Sequence, residues 1–257
     1  MVFQIDINGD IGESFGAYSI GCDPKVIKHI SSANVACGFH GGDPTVMHET
    51  VRLAKANNVA VGAHPSFPDL LGFGRRNMII TRAEAQNYTT YQVGALRAFC
   101  ESEGIELQHV KPHGALYNMA AEDPDLAGGI IESIKGFRKD PIVLVLANSK
   151  MQKLAEEAGL RVAREAFADR AYNPNGTLVS RRTPGAVLTD VKQISDRVIK
   201  MAKESKSFSV DGKTVELGKV ESICIHGDNP EAVRIASAIR TTLMNEGVQV
   251  RAMREFL

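Results

Sequence analysis

The chain has 257 residues, 44% of them hydrophobic, and its 30 Lys and Arg residues balance 30 Asp and Glu residues to a formal net charge of zero. A chain of this length can bury a substantial core, and α/β barrels of this size are commonly single domains, so we expect one domain over residues 1–257. The balanced charge, with no basic block, argues against nucleic acid or an anionic membrane as a partner.

Strand-like and helix-like segments alternate from one end of the sequence to the other. Short apolar runs bounded by turns predict buried strands. The predicted strands are Val2–Asn8, Ala33–Cys37, Val59–Ala63, Leu107–Lys111, Ile142–Leu146, Arg161–Ala166 and Ser222–Ile225, with a short addition at Val248–Ala252. Strands that alternate with helices imply parallel pairing. We therefore expect an irregular (β/α) barrel of about seven strands, resembling a TIM barrel, with a doubly wound open sheet as the alternative.

Helix starts and ends are marked by capping residues. A capping side chain before proline is expected to open a helix at Asp23-Pro24, Asp43-Pro44, Asp123-Pro124 and Asn229-Pro230. Thr81 and Glu84 form a capping box that predicts a long helix through Glu103. Gly104, Gly159 and Gly247 stand where helices are expected to end.

Three segments depart from this alternation. Phe208–Val215, with Asp211-Gly212 at its centre, predicts a β-hairpin, which we expect to lie away from the carboxyl ends of the strands. Pro65–Ile80 and Asp169–Pro184 are longer than a connection requires and follow strand carboxyl ends, where the active-site loops of barrels lie.

Titratable residues recur where a predicted strand ends in a polar turn. These are the histidines His40, His64, His113 and His226 and the acidic residues Asp10, Glu13 and Asp169. Because the carboxyl ends of parallel strands meet on one side of a barrel, the pattern predicts a single active site built from the whole chain. Each histidine alone could instead be a structural turn residue, and Asp228 could simply help to start the next helix.

Lys111 and His113 lie on one face of their strand by alternation. A lysine that points into a barrel mouth is costly to bury unless it is paired, so we expect it to hold an anion or a developing negative charge. His109 and His113 also form an H-x3-H pattern, but on an extended strand they would lie about 13 Å apart, too far to share one metal ion.

Several other motifs carry possible chemistry. Arg75-Arg76 and Arg181-Arg182 lie in the two long loops and could clamp a carboxylate or a phosphate. GESFG around Ser14 matches a nucleophile elbow, but no helix start follows it directly. The DGKT stretch at 211–214 lacks the first glycine of a phosphate-binding loop. Cys37 is expected to be a small buried residue rather than a nucleophile.

The chain is expected to be cytoplasmic. Its start, MVFQIDINGD, lacks the basic region of a signal peptide, and no apolar run approaches the roughly 20 residues that span a bilayer. Its four cysteines include no C-x-x-C pair and suggest scattered reduced thiols.

From about Ile5 to about Val250 the sequence resembles the LamB/YcsF family. The resemblance is carried, in this order, by NGDIGESFG, NVACGFHGGDP, GAHPSFPDLLGFGRR, VKPHGALYN, EAFADRAYNPNGTLVSR and ICIHGDNP. It implies an irregular barrel of the glycoside hydrolase/deacetylase type and the role of the A subunit of the bacterial ATP-hydrolysing 5-oxoprolinase. That enzyme opens 5-oxo-L-proline to L-glutamate together with separate subunits B and C. ATP, with Mg²⁺, is then a co-substrate of the complex.

Within that resemblance we expect the lactam oxygen to be phosphorylated before this chain hydrolyses the ring. Asp10 or His40 would be the base, and Lys111 with His113 would bind the oxyanion or phosphate. Arg75 or Arg181 would hold the substrate carboxylate. His64 completes the expected catalytic set. Substrate binding is expected from Glu13, Arg75, Asp169, Arg181, His226 and Asp228.

Two alternatives belong to other classes of protein. The first is an amide hydrolase that acts alone with a metal ion, for which Asp10, His40 and His64 are the candidate ligands. The second is a non-catalytic protein of the complex that binds a lactam without turning it over.

Overall fold

The computed structural model describes residues 3–139, 141–227 and 231–257. Its strands are β1 Gln4–Ile11, β2 Ser32–Ala36, β3 Ala60–His64, β4 Leu107–Val110, β5 Ile142–Leu146, β6 Val162–Phe167, β7 Lys206–Phe208, β8 Thr214–Glu216, β9 Ser222–Ile225 and β10 Gln249–Val250. Its α-helices are α1 Asp23–Val26, α2 Pro44–Ala56, α3 Arg82–Ser102, α4 Gly114–Ala120, α5 Pro124–Lys135, α6 Lys150–Glu157, α7 Val191–Glu204 and α8 Ala232–Asn245.

The parallel strands close into a barrel in the order β1-β2-β3-β4-β5-β6-β9, because β9 pairs with β1 as well as with β6. The short strand β10 pairs in parallel with the first residues of β1, Gln4 and Ile5. The closed ring confirms the predicted irregular (β/α) barrel, and the open doubly wound sheet is wrong. Within the described residues, no helix combines the length and the apolar character needed to cross a membrane.

The strands of the barrel place apolar and polar side chains on opposite faces. In β1, Ile5 and Ile7 belong to the main hydrophobic core, whereas Asp6, Asn8 and Asp10 are buried among polar partners. Asn8 donates both to Ser222 on β9, the strand next to β1, and to Glu165 on β6, the strand beyond it. The interior is therefore a hydrogen-bonded polar core over much of its height.

A smaller apolar cluster fills another part of the barrel. Ile142, Leu144, Ala163 and Met253 form a core of their own, separate from the one between strands and helices. Position 62 on β3 must be glycine, because the His109 ring of the neighbouring strand β4 packs against it. A Cβ on Gly62 would lie 2.2 Å from that ring. The buried His109 ring takes that space and bonds to Asn34 at 2.7 Å.

Two local predictions need correction. Strand β1 continues to Ile11, three residues beyond its predicted end, so Asp10 lies on the strand and not in a turn. The strand extends because Asn8 and Asp10 find polar partners inside the barrel. Asp23 does not cap α1: Cys22 takes the N-cap position, and the Asp23 carboxylate accepts from the Gly12 N–H at 2.8 Å. The helix start expected at Asn229-Pro230 lies outside the described residues.

The other helix signals are confirmed. Asp43, Asp123 and the capping box of Thr81 open α2, α5 and α3, and α3 ends at Ser102, next to Glu103. Gly104, Gly159 and Gly247 have φ values of 69°, 77° and 75°, the left-handed conformation that ends helices.

The predicted hairpin forms from β7 and β8, but it is not peripheral. Its Val210 N–H donates to the Tyr172 carbonyl at 2.9 Å. Tyr172 lies in the long loop after β6, and its hydroxyl accepts from the Phe167 N–H at the end of that strand. The hairpin thus supports a loop at the carboxyl end of the barrel, contrary to the sequence-based expectation.

Candidate active site

A cavity of about 750 Å³ opens at the carboxyl ends of the strands, between the two long loops. Seven of the residues expected to form the site line it: Asp10, His64, Arg75, Lys111, His113, Arg181 and His226. Three more stand behind that lining, namely Glu13, His40 and Asp169, all buried. Asp228 lies outside the described residues. The strand-end pattern therefore brings most of its members to one place.

Lys111 is the most completely partnered charge in the site. Its Nζ lies 3.0 Å from Asp10 Oδ1 and 3.0 Å from Glu165 Oε1. It also lies 3.1 Å from Asn8 Oδ1 and 3.0 Å from Cys224 Sγ. Only 2% of the residue is exposed, so these contacts replace water around a buried ammonium.

The neighbouring charges fix the protonation states of Asp10 and Lys111. Burial alone would raise the pKa of Asp10, but Lys111 and His64 hold it well below its ordinary value. Burial alone would lower the pKa of Lys111, but Asp10, Cys224 and Glu165 hold it well above its ordinary value. At neutral pH the pair is a carboxylate and an ammonium.

Glu165 is a site residue that the sequence analysis missed. It accepts from the Tyr117 hydroxyl at 2.7 Å and from Asn8 Nδ2 at 2.8 Å, besides its ion pair with Lys111. Tyr117 itself lines the cavity. The sequence did offer one signal for Glu165, because a charged residue within a mostly apolar strand must find a partner. Nothing in the sequence identifies that partner as Lys111.

His64 and His113 face one another through ring nitrogens. His64 Nδ1 is 2.7 Å from the Lys111 carbonyl, and His113 Nε2 is 3.0 Å from the Phe73 carbonyl. Carbonyl oxygens only accept, so each of these nitrogens carries the hydrogen. The remaining nitrogens, His64 Nε2 and His113 Nδ1, are 2.9 Å apart. In two neutral rings both nitrogens would present lone pairs to the same space, an arrangement that a cation bound between them would stabilise.

His40 and Glu13 form a second layer behind this pair. The His40 ring stacks on His113 with 3.7 Å between centroids, and its Nε2 lies 3.2 Å from Glu13 Oε1. His40 Nδ1 is buried without a hydrogen-bond partner. Burial holds the pKa of both His40 and His113 well below the ordinary value, so the stacked rings are neutral at neutral pH.

The donor set of this cluster fits a metal ion. One ligand atom each from Glu13, His40, His64 and His113 lies within 4.8 Å of the others, and three imidazoles with a carboxylate suit zinc or a similar divalent ion. Asp10, Cys224 and His226 form a separate group of the same kind. The ligands expected from the sequence, Asp10, His40 and His64, are thus divided between two groups.

On the other side of the cavity His226 is oriented by Asp169. Its Nδ1 lies 2.9 Å from Asp169 Oδ1, and its ring stacks on Phe167. Burial alone would raise the pKa of Asp169, but His226, Arg181 and Arg170 lower it. Asp169 is therefore a carboxylate that fixes the Nδ1–H tautomer of His226 and turns Nε2 away from itself.

The motifs set aside on sequence grounds are set aside by the structure too. His109 bonds to Asn34, apart from His113, and Ser14 exchanges hydrogen bonds with the backbone of Ile20 without a following helix. Burial raises the pKa of Cys37 to about 12, so its thiol is not a nucleophile at neutral pH.

Comparison with known proteins decides the family. A family model described as LamB/YcsF matches residues 5–257. The chain belongs to the LamB/YcsF family. It is 58% identical to the 5-oxoprolinase A subunit of Pyrococcus horikoshii, over 99% of each chain. It is 53% identical to the 5-oxoprolinase A subunit of Campylobacter jejuni, over 100% of each.

The solved structures agree with this LamB/YcsF assignment. A lactam utilization protein from Thermus thermophilus superposes with a TM-score of 0.91 at 46% identity, covering 97% of this chain and 99% of that one. A putative cellobiose-phosphate cleavage protein from Enterococcus faecalis shares the fold at a TM-score of 0.60 and 13% identity, over 99% of each chain. The names of these relatives refer to 5-oxoprolinase and to lactam utilization.

Proposed function

We propose that this LamB/YcsF chain is the A subunit of an ATP-dependent 5-oxoprolinase, which opens 5-oxo-L-proline to L-glutamate with subunits B and C. The observation that carries the proposal is the facing pair His64 and His113 beside the buried Lys111–Asp10 ion pair, all lining one cavity. Opening a stable lactam needs an activated water, a charge opposite the carbonyl oxygen and a proton for the leaving nitrogen. The names of the relatives support the substrate.

The reaction that fits these residues starts from a lactam whose carbonyl oxygen carries the phosphoryl group of ATP. Water adds to the carbonyl carbon, and its protons pass through the His64–His113 pair to the ring nitrogen as the C–N bond breaks. The opened chain is then an acyl phosphate. A second water releases inorganic phosphate and leaves L-glutamate.

Each residue has a role that follows from its position. His64, with Asp10 at 3.4 Å from its Nε2, takes the proton from water. Lys111 stabilises the developing oxyanion through its positive charge and not through a hydrogen bond. Its ammonium hydrogens are already directed at Asp10, Glu165 and Asn8. His40, the alternative base in the sequence analysis, is completely buried behind His113 and instead stacks on that ring.

Arg75 is the residue we assign to the substrate carboxylate. Its guanidinium lies over the Phe73 ring, 4.8 Å from the centroid, at the edge of the loop that holds His113. The pKa of His40 and that of His113 are lowered mainly by burial and by neighbouring histidines, and Arg75 lowers both further. The positive charge of Arg75 therefore lies near the cluster. An arginine can bind a carboxylate through two parallel hydrogen bonds and so orient the ring.

The ATP would be bound by the partner subunits, since the only phosphate-loop-like stretch, DGKT, forms the turn of the β7–β8 hairpin and its following strand. Mg²⁺ would accompany the nucleotide there. A reaction that consumes ATP is also consistent with the cytoplasm, where we expect this chain to act.

Reconstitution tests this proposal. Mixing the chain with separately purified subunits B and C, 5-oxo-L-proline and Mg-ATP is expected to form glutamate, with none formed when any protein or ATP is omitted. His113→Gln is expected to reduce the rate at least about a hundredfold, because the proton-accepting pair is lost. His48→Gln is the matched control, since His48 pairs with Glu103 outside the cavity. Equal rates for both variants would remove His113 from the mechanism.

A metal-dependent amide hydrolase is a second candidate, favoured by the same facing nitrogens and by the unpartnered His40 Nδ1. Glu13, His40, His64 and His113 would hold the ion, which would supply Lewis-acid activation of water or carbonyl when bound. The residues would then act by orienting it: the Lys111 and Phe73 carbonyls fix the tautomers that present nitrogen lone pairs.

Metal analysis distinguishes this second candidate from the first. If it holds, the chain purified without chelator contains about one equivalent of divalent metal, and His64→Ala or His113→Ala weakens metal affinity at least about tenfold. His48→Ala is expected to retain the metal. Wild-type protein that stays free of metal during dialysis against zinc would rule out the metal-dependent candidate.

A further inference from the structure

The loop after β3 contains a buried carboxylate, Asp69, that the proposed function does not use. Only 3% of Asp69 is exposed, and its side chain accepts from the Gly72 N–H at 3.0 Å and from the Arg76 N–H at 3.3 Å. The Arg76 guanidinium donates to the same carboxylate from Nε, at 2.9 Å, and from Nη2. Arg76, a candidate clamp for a bound anion on sequence grounds, is thus bound to the protein's own carboxylate. Asp69 holds the whole segment 69–76 together.

The backbone between Asp69 and Arg76 is folded tightly on itself. The Gly74 N–H donates to the Asp69 carbonyl at 2.8 Å, and the Gly74 carbonyl accepts from the Ala115 N–H at 2.8 Å. Phe73 has a φ of 54°, in the left-handed region that a bulky side chain rarely adopts. Such a conformation persists only where the surrounding structure enforces it. The side-chain contacts of Asp69, which lie on either side of Phe73 in the sequence, hold it in this conformation.

The Phe73 carbonyl connects this loop to the facing histidines. It accepts from His113 Nε2 at 3.0 Å, and the Phe73 and His113 rings meet edge to face with centroids 5.4 Å apart. With its hydrogen on Nε2, His113 presents a lone pair on Nδ1 to His64 Nε2, 2.9 Å away. Without that carbonyl, a hydrogen on Nδ1 would form a hydrogen bond between the two rings instead. The loop therefore keeps His113 in a tautomer that two neutral rings would not adopt by themselves.

We propose that Asp69 is a positioning residue for His113: its contacts with Gly72 and Arg76 hold the Phe73 carbonyl where it fixes the His113 tautomer. Asp69 lies behind the cavity lining, so it acts through the backbone and not by contact with a ligand. The consequence for the reaction rests on the proposed function, because only a lone pair on Nδ1 lets His113 take up a proton beside His64. The placement of the tautomer does not depend on that function.

NMR of the ¹⁵N-labelled histidine rings in the full chain, without subunits B and C and with a chelator present, tests this placement. The chemical shift of a ring nitrogen reports whether it carries a hydrogen, and His113→Gln identifies the His113 signals. Wild-type His113 Nε2 is expected to carry the hydrogen. In Asp69→Asn, which loses the charge that binds Arg76, the Nε2 signal is expected to move toward the unprotonated range. Asp125→Asn, at an exposed ion pair with Arg82, is expected to match wild type.

Arg76→Gln keeps the test decisive if Asp69→Asn does not fold. The Arg76 side chain is 60% exposed, and its replacement removes the ion pair but leaves the bond from the Gly72 N–H to Asp69. A smaller movement of the His113 Nε2 signal in the same direction is expected. Arg52→Gln is the matched control, since the Arg52 side chain is 61% exposed and paired with a glutamate outside the cavity.

Reconstitution with subunits B and C and Mg-ATP measures the consequence for the reaction. In Asp69→Asn, kcat for glutamate formation is expected to fall at least about tenfold, because a proton-transfer group in the wrong tautomer is lost to the reaction. Asp125→Asn is expected to keep the wild-type kcat.

Three results would overturn the positioning role of Asp69. They are a wild-type His113 Nε2 without a hydrogen, an unchanged Nε2 signal in both Asp69→Asn and Arg76→Gln, and an unchanged kcat in a variant whose signal moves. A purely structural role for Asp69 would give the second result, with lower stability and an unchanged His113 signal. If the wild-type complex forms no glutamate, the proposed function fails, and the NMR comparison still decides whether Asp69 fixes the His113 tautomer.

Discussion

Lys111→Met is expected to reduce ATP-dependent glutamate formation at least about a hundredfold and to lower the free energy of unfolding by about 3–5 kcal/mol. Methionine keeps much of the length of the side chain but removes its charge. Asp10 and Glu165, both buried and both within 3.0 Å of Lys111 Nζ, would then face each other without a cation. The loss comes from leaving buried carboxylates uncompensated, which costs more than the ion pair itself contributes.

Denaturant titration of wild type, Lys111→Met and the double variant Lys111→Met/Glu165→Gln separates the two effects. Removing one of the two stranded carboxylates is expected to recover part of the stability, but none of the activity, because the charge opposite the oxyanion remains absent. Lys153→Met is the control, since the Lys153 side chain is 79% exposed on α6. Equal stability of Lys111→Met and Lys153→Met would show that the ion pairs do not support the fold.

The sequence was sufficient to predict the barrel and the convergence of its strand-end residues on one cavity. The predicted strands differ from the observed ones by a few residues at most, since short apolar runs between glycine and proline turns leave little freedom in their placement. The histidines at the strand ends converge because parallel strands must deliver them to the same side. His40 shows the limit of this reasoning: it reaches the cluster but stands behind His113.

The polar barrel interior could not be predicted in the same way. Asn8, Asn34, Glu165 and Ser222 each look unremarkable in sequence, and their partners are up to 216 positions away. Whether a buried polar residue is stabilising depends on those partners, which only closure of the ring brings together. The burial of Arg170 beside the cavity could not be predicted either, since it depends on how the loop after β6 folds over this side chain.

The interior network also makes the stability of the protein depend on pH through Asp6. This residue is completely buried and accepts hydrogen bonds from Ser31 and Ser32 at 2.6 Å and from Ser222 at 2.5 Å. Burial, with a smaller contribution from Glu165, outweighs these bonds and raises the pKa of Asp6 from 3.8 to about 6. Between these two values the folded protein holds a proton that the unfolded chain has released.

Asp6 therefore stabilises the fold fully below pH 3.8, and that contribution is lost as the pH rises to about 6. Asp6→Asn removes the titration, retains an acceptor oxygen for Ser31 and Ser32, and lets the Ser222 hydroxyl accept instead of donate. The variant is expected to gain about 3 kcal/mol relative to wild type as the pH increases across this interval, from a shift of roughly two pKa units.

Denaturant titrations of wild type and Asp6→Asn at several pH values between about 4 and 7.5 measure that gain as a difference. Other titrating groups are common to both proteins and cancel. Asp196→Asn, at an exposed position on α7, should follow wild type at every pH. If the two stability curves of wild type and Asp6→Asn run parallel, Asp6 ionises inside the barrel as easily as in the unfolded chain, and the serine hydroxyls and the wider polar network must fully offset its burial.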